Sequence, residues 1–266
     1  MEHFDIIKIR ERVWRLWDAE KNSFYLVEGD DLAAVIDTGI TPGCQITPAL
    51  GRLTDKPMIL VLTHAHIDHF HHMDEFETVY MSHREFELGQ EILHGMMAGK
   101  DLALERTIDA GTGTAIELGG CTLEICAVPG HTPGSLAVYD SRDGIVFTGD
   151  AIGSGCGVWM QLPGSSDLAD YEQSLQFFLR WLLDRGGKMD FWGGHCNQSW
   201  ESRQVPGFNP LSLGLLADLI DLVRNLRSGE LTGEVVDLEP HLREREARYA
   251  AWGRAEMLYN PDKLNV

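Results

Sequence analysis

The stretch MILVLTHAHIDH, residues 58–69, decides how the rest of the chain is read. Its first five residues, Met58 to Leu62, form an unbroken apolar run, as expected of a strand buried on both faces. The run passes directly into a loop carrying His64, His66, Asp68 and His69. In a loop leaving a strand, residues 64 and 66 can point the same way, and Asp68 and His69 can turn towards a second point nearby. Imidazole and carboxylate donors suit zinc, and also iron or manganese.

Three later positions supply the same kinds of donor. His131 stands in PGHTPGS, Asp150 in FTGDA and His195 in WGGH, each beside glycine and at the end of a strand-like run. Glycine lets the backbone turn sharply enough to aim a ligand back at a sheet end. His71 and His72 break the pattern and read as groups at the rim or behind the ligands. Cys126 and Cys196 lie close to ligand positions and read as small thiols, the seven donors being sufficient without them.

Outward from this stretch the chain alternates strands and helices. The runs 4–9, 13–17, 24–27 and 33–36 are short and rich in β-formers, so they predict a meander. A helix is expected within residues 43–53 and a polar one over 83–94. Strand signals return at 114–118, 121–128, 135–139 and 145–148, the last two flanking an Asp143-Gly144 turn that predicts a hairpin. Tyr171, Leu175, Phe178, Leu179 and Leu182 fall at helical spacing, as do Leu213, Leu216, Leu219, Ile220, Val223 and Leu226. Between these helices, 189–192 reads as a short strand, and the charged tail from Glu239 reads as helical in part. The expected organisation is one α/β domain over residues 1–208, with 209–266 a C-terminal helical extension packed on it.

Composition bounds the function. The 266 residues are 44% hydrophobic and 24% charged, which is globular composition. The formal charge of −19 repels phosphate backbones and weighs against nucleic-acid partners. No apolar run approaches the ~18 residues of a membrane span, and the charged N-terminal residues carry no signal-peptide core. The five cysteines, odd in number and without a CxxC array, read as reduced thiols in a cytoplasmic protein. A small-molecule substrate is the expected partner, and a homo-oligomer remains open.

With THAHIDH, PGHTPGS, FTGDA and WGGH in that order, and VIDTG at residues 35–39, the chain resembles the metallo-β-lactamase superfamily over about residues 10–200. The resemblance implies an αββα sandwich with metals at one edge. It implies a first metal held by His64, His66 and His131, and a second held by Asp68, His69 and His195. Asp150 would bridge both, with Asp37 supporting the ligands from behind. Two divalent ions, zinc first and iron or manganese as alternatives, would be the cofactors. Asp68 and Asp150 would be the catalytic carboxylates, offsetting two of the four positive charges. Metals lower the pKa of bound water towards 7, so no serine or cysteine nucleophile is required.

The PGHTPGS form is similar to the glyoxalase II-like branch, which cleaves thioesters; no motif for glutathione-binding basic residues is evident. The leading expectation is a metal-dependent hydrolase of a thioester, lactone or ester. The alternatives are a mononuclear iron persulfide dioxygenase and a non-catalytic metal-binding or sensor protein of the same fold. A branch with Glu at the second histidine position contains diiron redox proteins, and His66 argues against it. Trp159 and Met160 follow a glycine-rich segment, 153–157, while Met96 and Met97 stand between glycines at 95–99. These four are expected to wall the substrate pocket as an apolar flap.

Overall fold

The computed structural model describes residues 4–96, 106–153, 157–196 and 209–264. Two sheets pack face to face with helices on the outer side of each. In the first sheet β1 (Asp5–Arg10), β2 (Val13–Trp17), β3 (Ser23–Glu28), β4 (Ala33–Ile36), β5 (Met58–Val61), β6 (Val79–Met81) and β7 (Thr107–Asp109) are neighbours in that order. β1 to β4 form the expected antiparallel meander, and β4 to β7 run parallel. Parallel neighbours need crossovers, and these carry the short helices α1 (Thr47–Leu50) and α2 (Ile67–Phe70) and the longer α3 (Phe86–Met96). The helix near residues 43–53 is thus a single turn, opening with Pro48.

Side-chain alternation explains the continuous apolar runs. Phe24, Leu26, Val35 and Leu60 pack into a core on the helix side. Tyr25, Val27, Ile36 and Val61, their sequence neighbours, pack into the core between the sheets. Both faces of these strands are buried, so no polar residue interrupts them.

The second sheet is built from β8 (Ala115–Glu117), β9 (Thr122–Ala127), β10 (Leu136–Asp140) and β11 (Ile145–Gly149), with β13 (Asp190–Gly193) added parallel to β11. The β10–β11 hairpin turns at Gly144, which has φ +66°. Val138 and Phe147 face the first sheet, while Ala137, Tyr139 and Val146 face outward. Two helices cover that outer face: α4 (Leu168–Arg185) through Tyr171, Leu175, Phe178 and Leu182, and α5 (Leu213–Ser228) through Leu216, Leu219 and Val223. Ser212 caps α5 by accepting from Leu215 N at 3.1 Å.

The C-terminal helix is where the spacing puts it, but the tail beyond Glu239 is mainly strand. β15 (Ala247–Trp252) and β16 (Ala255–Tyr259) form a hairpin at Gly253, joined by β14 (Glu234–Val236) on one side and by β12 (Val158–Met160) on the other. Helical structure there is confined to single 3-10 turns, Pro240–Leu242 and Pro261–Lys263. Ala255, Met257 and Tyr259 alternate into the same core as α4 and α5. Charged neighbours such as Arg248, Arg254 and Glu256 disguise this period of two as helical surface.

Candidate metal centre and its cleft

The seven candidate ligands come from one edge of the sandwich. His64 and His66 follow β5, Asp68 and His69 sit in α2, and His131 lies in the β9–β10 loop. Asp150 follows β11 and His195 follows β13. Two glycines make the convergence possible. A Cβ on Gly149, at φ +48°, would stand 2.3 Å from Thr63 Oγ1. One on Gly194 would stand 2.3 Å from Asp150 Oδ1 and 2.5 Å from His69 Cε1.

The structure brings the seven into overlapping groups: His64, His66 and His131; His64, His69 and Asp150; and Asp68, His69 and His195. His66 Nδ1 lies 3.1 Å from His64 Nε2 and 3.0 Å from His131 Nε2. The hydrogen-bond network assigns the tautomers. His131 Nδ1 donates to the Trp159 carbonyl at 2.8 Å, which leaves Nε2 a lone pair. Thr63 Oγ1 donates to Asp37 at 2.7 Å and so accepts from His64 Nδ1, which leaves His64 Nε2 a lone pair too. One proton on His66 Nδ1 can satisfy only one of these two nitrogens; a cation satisfies all three. Nitrogens around a tetrahedral zinc, at Zn–N of about 2.0–2.1 Å, stand about 3.3–3.4 Å apart, close to what is seen.

The second group is completed through Asp37, which has φ +60° at the end of β4. Asp37 accepts from Thr63 N at 2.8 Å and from His69 Nδ1 at 2.9 Å. His69 Nε2 is then a buried lone pair with no hydrogen-bond partner among the described residues, a state costing about 1–3 kcal/mol unless a ligand relieves it. It lies 3.7 Å from Asp68 Oδ2, which is 3.5 Å from His195 Nε2. Asp150 Oδ2 stands between the groups, 3.1 Å from His195 Nε2, 3.6 Å from His69, 3.7 Å from His131 and 4.0 Å from His64. Clustered imidazole and carboxylate donors of this kind fit the binding of divalent metal.

Electrostatics treats the two groups differently: it keeps the imidazoles of the first neutral and ready to bind, and it favours a proton on those of the second, which a metal must displace. Burial, aided by His69 and His66, holds His64 well below the usual imidazole range. Burial, then His131, lowers His66 to about 3, and burial also lowers His131 against the pull of Asp150. At His69 burial would lower the pKa, but Asp68, Asp150 and Asp37 outweigh it and raise it. His195 is likewise raised, Asp150 outweighing burial. Burial would raise Asp150, yet His195 and His69 hold it well below the usual carboxylate range.

A cleft of about 730 Å³ opens over His66, Asp68, His131, Asp150 and His195. Trp159 lines it; Met160, the next residue of β12, points the other way and is 1% exposed in the second-layer core. Met96 ends α3, whose Gly95 reaches the cleft, and Met97 lies outside the described residues. His72 is buried away from the donors, pairing with Glu75 at 3.0 Å and accepting from Thr41 N at 3.3 Å; His71 packs edge-on against its ring. Cys126 is a core thiol pushed up to about 12 by burial, and Cys196 Sγ lies 3.7 Å from Ser23 Oγ.

Two supports carried no signal in the sequence. Glu85, buried at the foot of α3, accepts from Ala65 N at 2.7 Å and Gly134 N at 2.5 Å, tying the His64–His66 loop to the His131 loop. Arg15 donates to the His195 carbonyl at 3.0 Å and to Ser23 Oγ at 2.8 Å, its guanidinium lying over Trp17 and Trp192. Both look like surface charges in the sequence, since the loops they tie down, at Ala65, Gly134 and His195, are 20 or more residues away.

The chain is similar to known proteins in sequence and in fold. The acyl-coenzyme A thioesterase MBLAC2 of Bos taurus is 26% identical over 226 residues, covering 72% of this chain and 78% of the relative. A hydroxyacylglutathione hydrolase of Synechococcus is 30% identical over 149 residues, 55% of each chain. Among solved structures, a metallo-beta-lactamase from Pontibacter korlensis superposes with a TM-score of 0.57 at 21% identity, over 81% of this chain and 99% of that one. The family model described as the metallo-beta-lactamase superfamily matches residues 17–186, a span containing every candidate ligand but His195. With that match, the layered sheets and the convergent donors, the chain belongs to the metallo-β-lactamase superfamily.

Proposed function

We propose that this protein is a hydrolase of carboxylic thioesters and esters working through two divalent metal ions, zinc first among them. The observation that carries the reading is Asp150 Oδ2, within 4.0 Å of imidazole nitrogens from both donor groups. The similarity to an acyl-coenzyme A thioesterase and to a hydroxyacylglutathione hydrolase supports the bond type. His64, His66 and His131 would hold one ion, and Asp68, His69 and His195 the other, with Asp150 shared. Bound there, such ions would supply a hydroxide nucleophile near neutral pH and would polarise the carbonyl oxygen.

The protein's own groups set the rest. The Trp159 carbonyl and the Thr63 hydroxyl fix two imidazole tautomers, and Asp37 fixes a third, so the donors are placed before substrate arrives. Asp68 is 26% exposed at the cleft and is positioned to pass a proton towards the departing thiol or alcohol. Hydroxide adds to the carbonyl carbon, the C–S or C–O bond breaks, and the products are a carboxylic acid and a thiol or alcohol. No step calls for a protein nucleophile, and Met96, Met97, Trp159 and Met160 need not touch the reacting atoms.

The test pairs elemental analysis with a panel of thioesters, lactones, esters and a phosphodiester. About two metals per chain, with turnover of a carbonyl substrate ahead of the phosphodiester, is the expected result. One iron per chain with persulfide-dependent oxygen uptake would replace this reading with the dioxygenase.

A further inference from the structure

Several apolar side chains around the cleft are not used by the fold. Leu88 on α3, Trp159 on β12, Leu162 just beyond it and Leu242 in the turn Pro240–Leu242 are half-buried and line the cleft, yet none joins the three hydrophobic cores. Ile92, one helical turn along α3 from Leu88, lines the same wall. Ile92 also touches the first-sheet core, but the other four lie outside the cores; half-buried apolar surface gathered in a concave site suits a ligand.

Their placement is one-sided. Gln161 Nε2 donates to Leu242 O at 3.2 Å, and Glu244 N donates back to Gln161 O at 3.3 Å, lacing the C-terminal turn to the segment carrying Leu162. That segment is anchored to the first donor group: Ser165 Oγ donates to His131 O at 2.9 Å and Ser166 N to Gly130 O at 2.8 Å. The other side is polar. Lys21 O accepts from Cys196 N at 2.9 Å and Asn22 pairs with His195, so Glu20, Lys21 and Asn22 form the rim beside the second group. Lys21 has φ +73°, an unusual conformation for a residue with a side chain, and the turn holding it is closed by Asp18, whose carboxylate accepts from Asn22 N at 3.0 Å. The cleft thus has an end by His131 where aliphatic walls predominate, with the exposed Glu91 and His241 at its rim, and a charged end by His195.

We propose that the aliphatic end is a subsite for a straight hydrocarbon acyl chain, walled by Leu88, Ile92, Leu162 and Leu242, with the polar leaving part of the substrate on the Lys21 side. Four of the walls are branched aliphatic groups, with the ring of Trp159 beside them, which suits a chain over a stacked aromatic acyl group. Leu242 lies outside residues 17–186, so part of the specificity comes from beyond the span that defines the family. The proposal rests on the hydrolase reading for the word acyl, but the subsite stands on its geometry.

The experiment separates the two. Straight-chain carboxylates from butanoate to dodecanoate are titrated calorimetrically into the metal-loaded protein, and thioesters of the same chains on one small thiol are assayed for kcat/KM. Affinity is expected to tighten by about fourfold per methylene until the subsite is full. Leu88→Arg and Leu242→Ser, checked for unchanged metal content and melting temperature, are expected to flatten the series at least tenfold between its ends. Affinity independent of chain length in the unaltered protein overturns the subsite, even if every thioester is cleaved. A steep binding series with no thioester or ester turned over upholds the subsite and overturns the hydrolase reading.

Discussion

The two donor groups share one cleft and are built on opposite plans. His64, His66 and His131 are all imidazole; the side chains of His64 and His131 are 1% exposed, and burial keeps the three uncharged. The second group mixes Asp68 with His69 and His195, and the Asp68 and His195 side chains are 26% and 16% exposed. Its imidazoles sit among carboxylates that raise their affinity for protons. A neutral, dry cluster needs little beyond a carbonyl and a hydroxyl to orient it. A charged cluster near solvent competes with water and protons, and needs Asp37 behind one member and Arg15 behind another. The second group should therefore be the weaker holder of metal, and the point at which variants separate the two sites.

The largest effect is expected where the comparison collapses. Asp150→Ala removes the one carboxylate close to both groups and should empty or weaken both sites together, with kcat falling by about a thousandfold or more, several kcal/mol of barrier. Elemental analysis and turnover on one preparation check it; two metals and near-full activity would show that Asp150 is not shared. Next, Asp68→Ala should leave the first site filled and strip the second, giving about one metal per chain. Loss of both would mean that the groups are not separable.

Arg15 sharpens the comparison further. Arg15→Met should weaken only the second metal, by about ten- to a hundredfold, as losing a group behind a ligand usually does. Arg15→Lys should not restore it, because one guanidinium reaches Ser23 Oγ and His195 O together while stacked on two rings. Competition with a chromophoric chelator reads the two affinities separately. Equal weakening of both metals would assign Arg15 to general stability. The smallest effect belongs to Trp159. Its backbone carbonyl, not its ring, orients His131, so Trp159→Ala should keep metal content and lose about tenfold in kcat/KM on bulky apolar substrates. A large fall in melting temperature with unchanged kinetics would make the ring part of the core instead.

The contrast also explains what could be read without coordinates. The candidate donors are legible because four follow one apolar strand in a single HxHxDH string and three stand beside glycine at a strand end, so position along the chain implies position at one sheet edge. The paired sheets were legible from runs such as Met58 to Leu62, where burial on two faces forbids polar residues. What the sequence concealed lies in long-range pairing. Glu85 and Arg15 act on backbone atoms of distant loops, and no local pattern announces a partner 180 residues away. β6, β7 and β12 span three residues each, too few to display a period. Trp159 and Met160 look alike as neighbouring apolar residues, yet a strand sends them to opposite sides, one to the cleft and one to the core.

The pairing of β12 with β16 reaches further than packing. Trp159 lies opposite Leu258 in that parallel ladder, and its carbonyl is what orients His131. During synthesis, His131 and most of its companions emerge long before residues 257–259 exist. The strand that steadies His131 must wait for β16, made about 125 residues after that histidine, before its own pairing is complete. Nascent chains would then carry an unfinished first donor group until β16 has paired, and tight metal capture would follow that pairing.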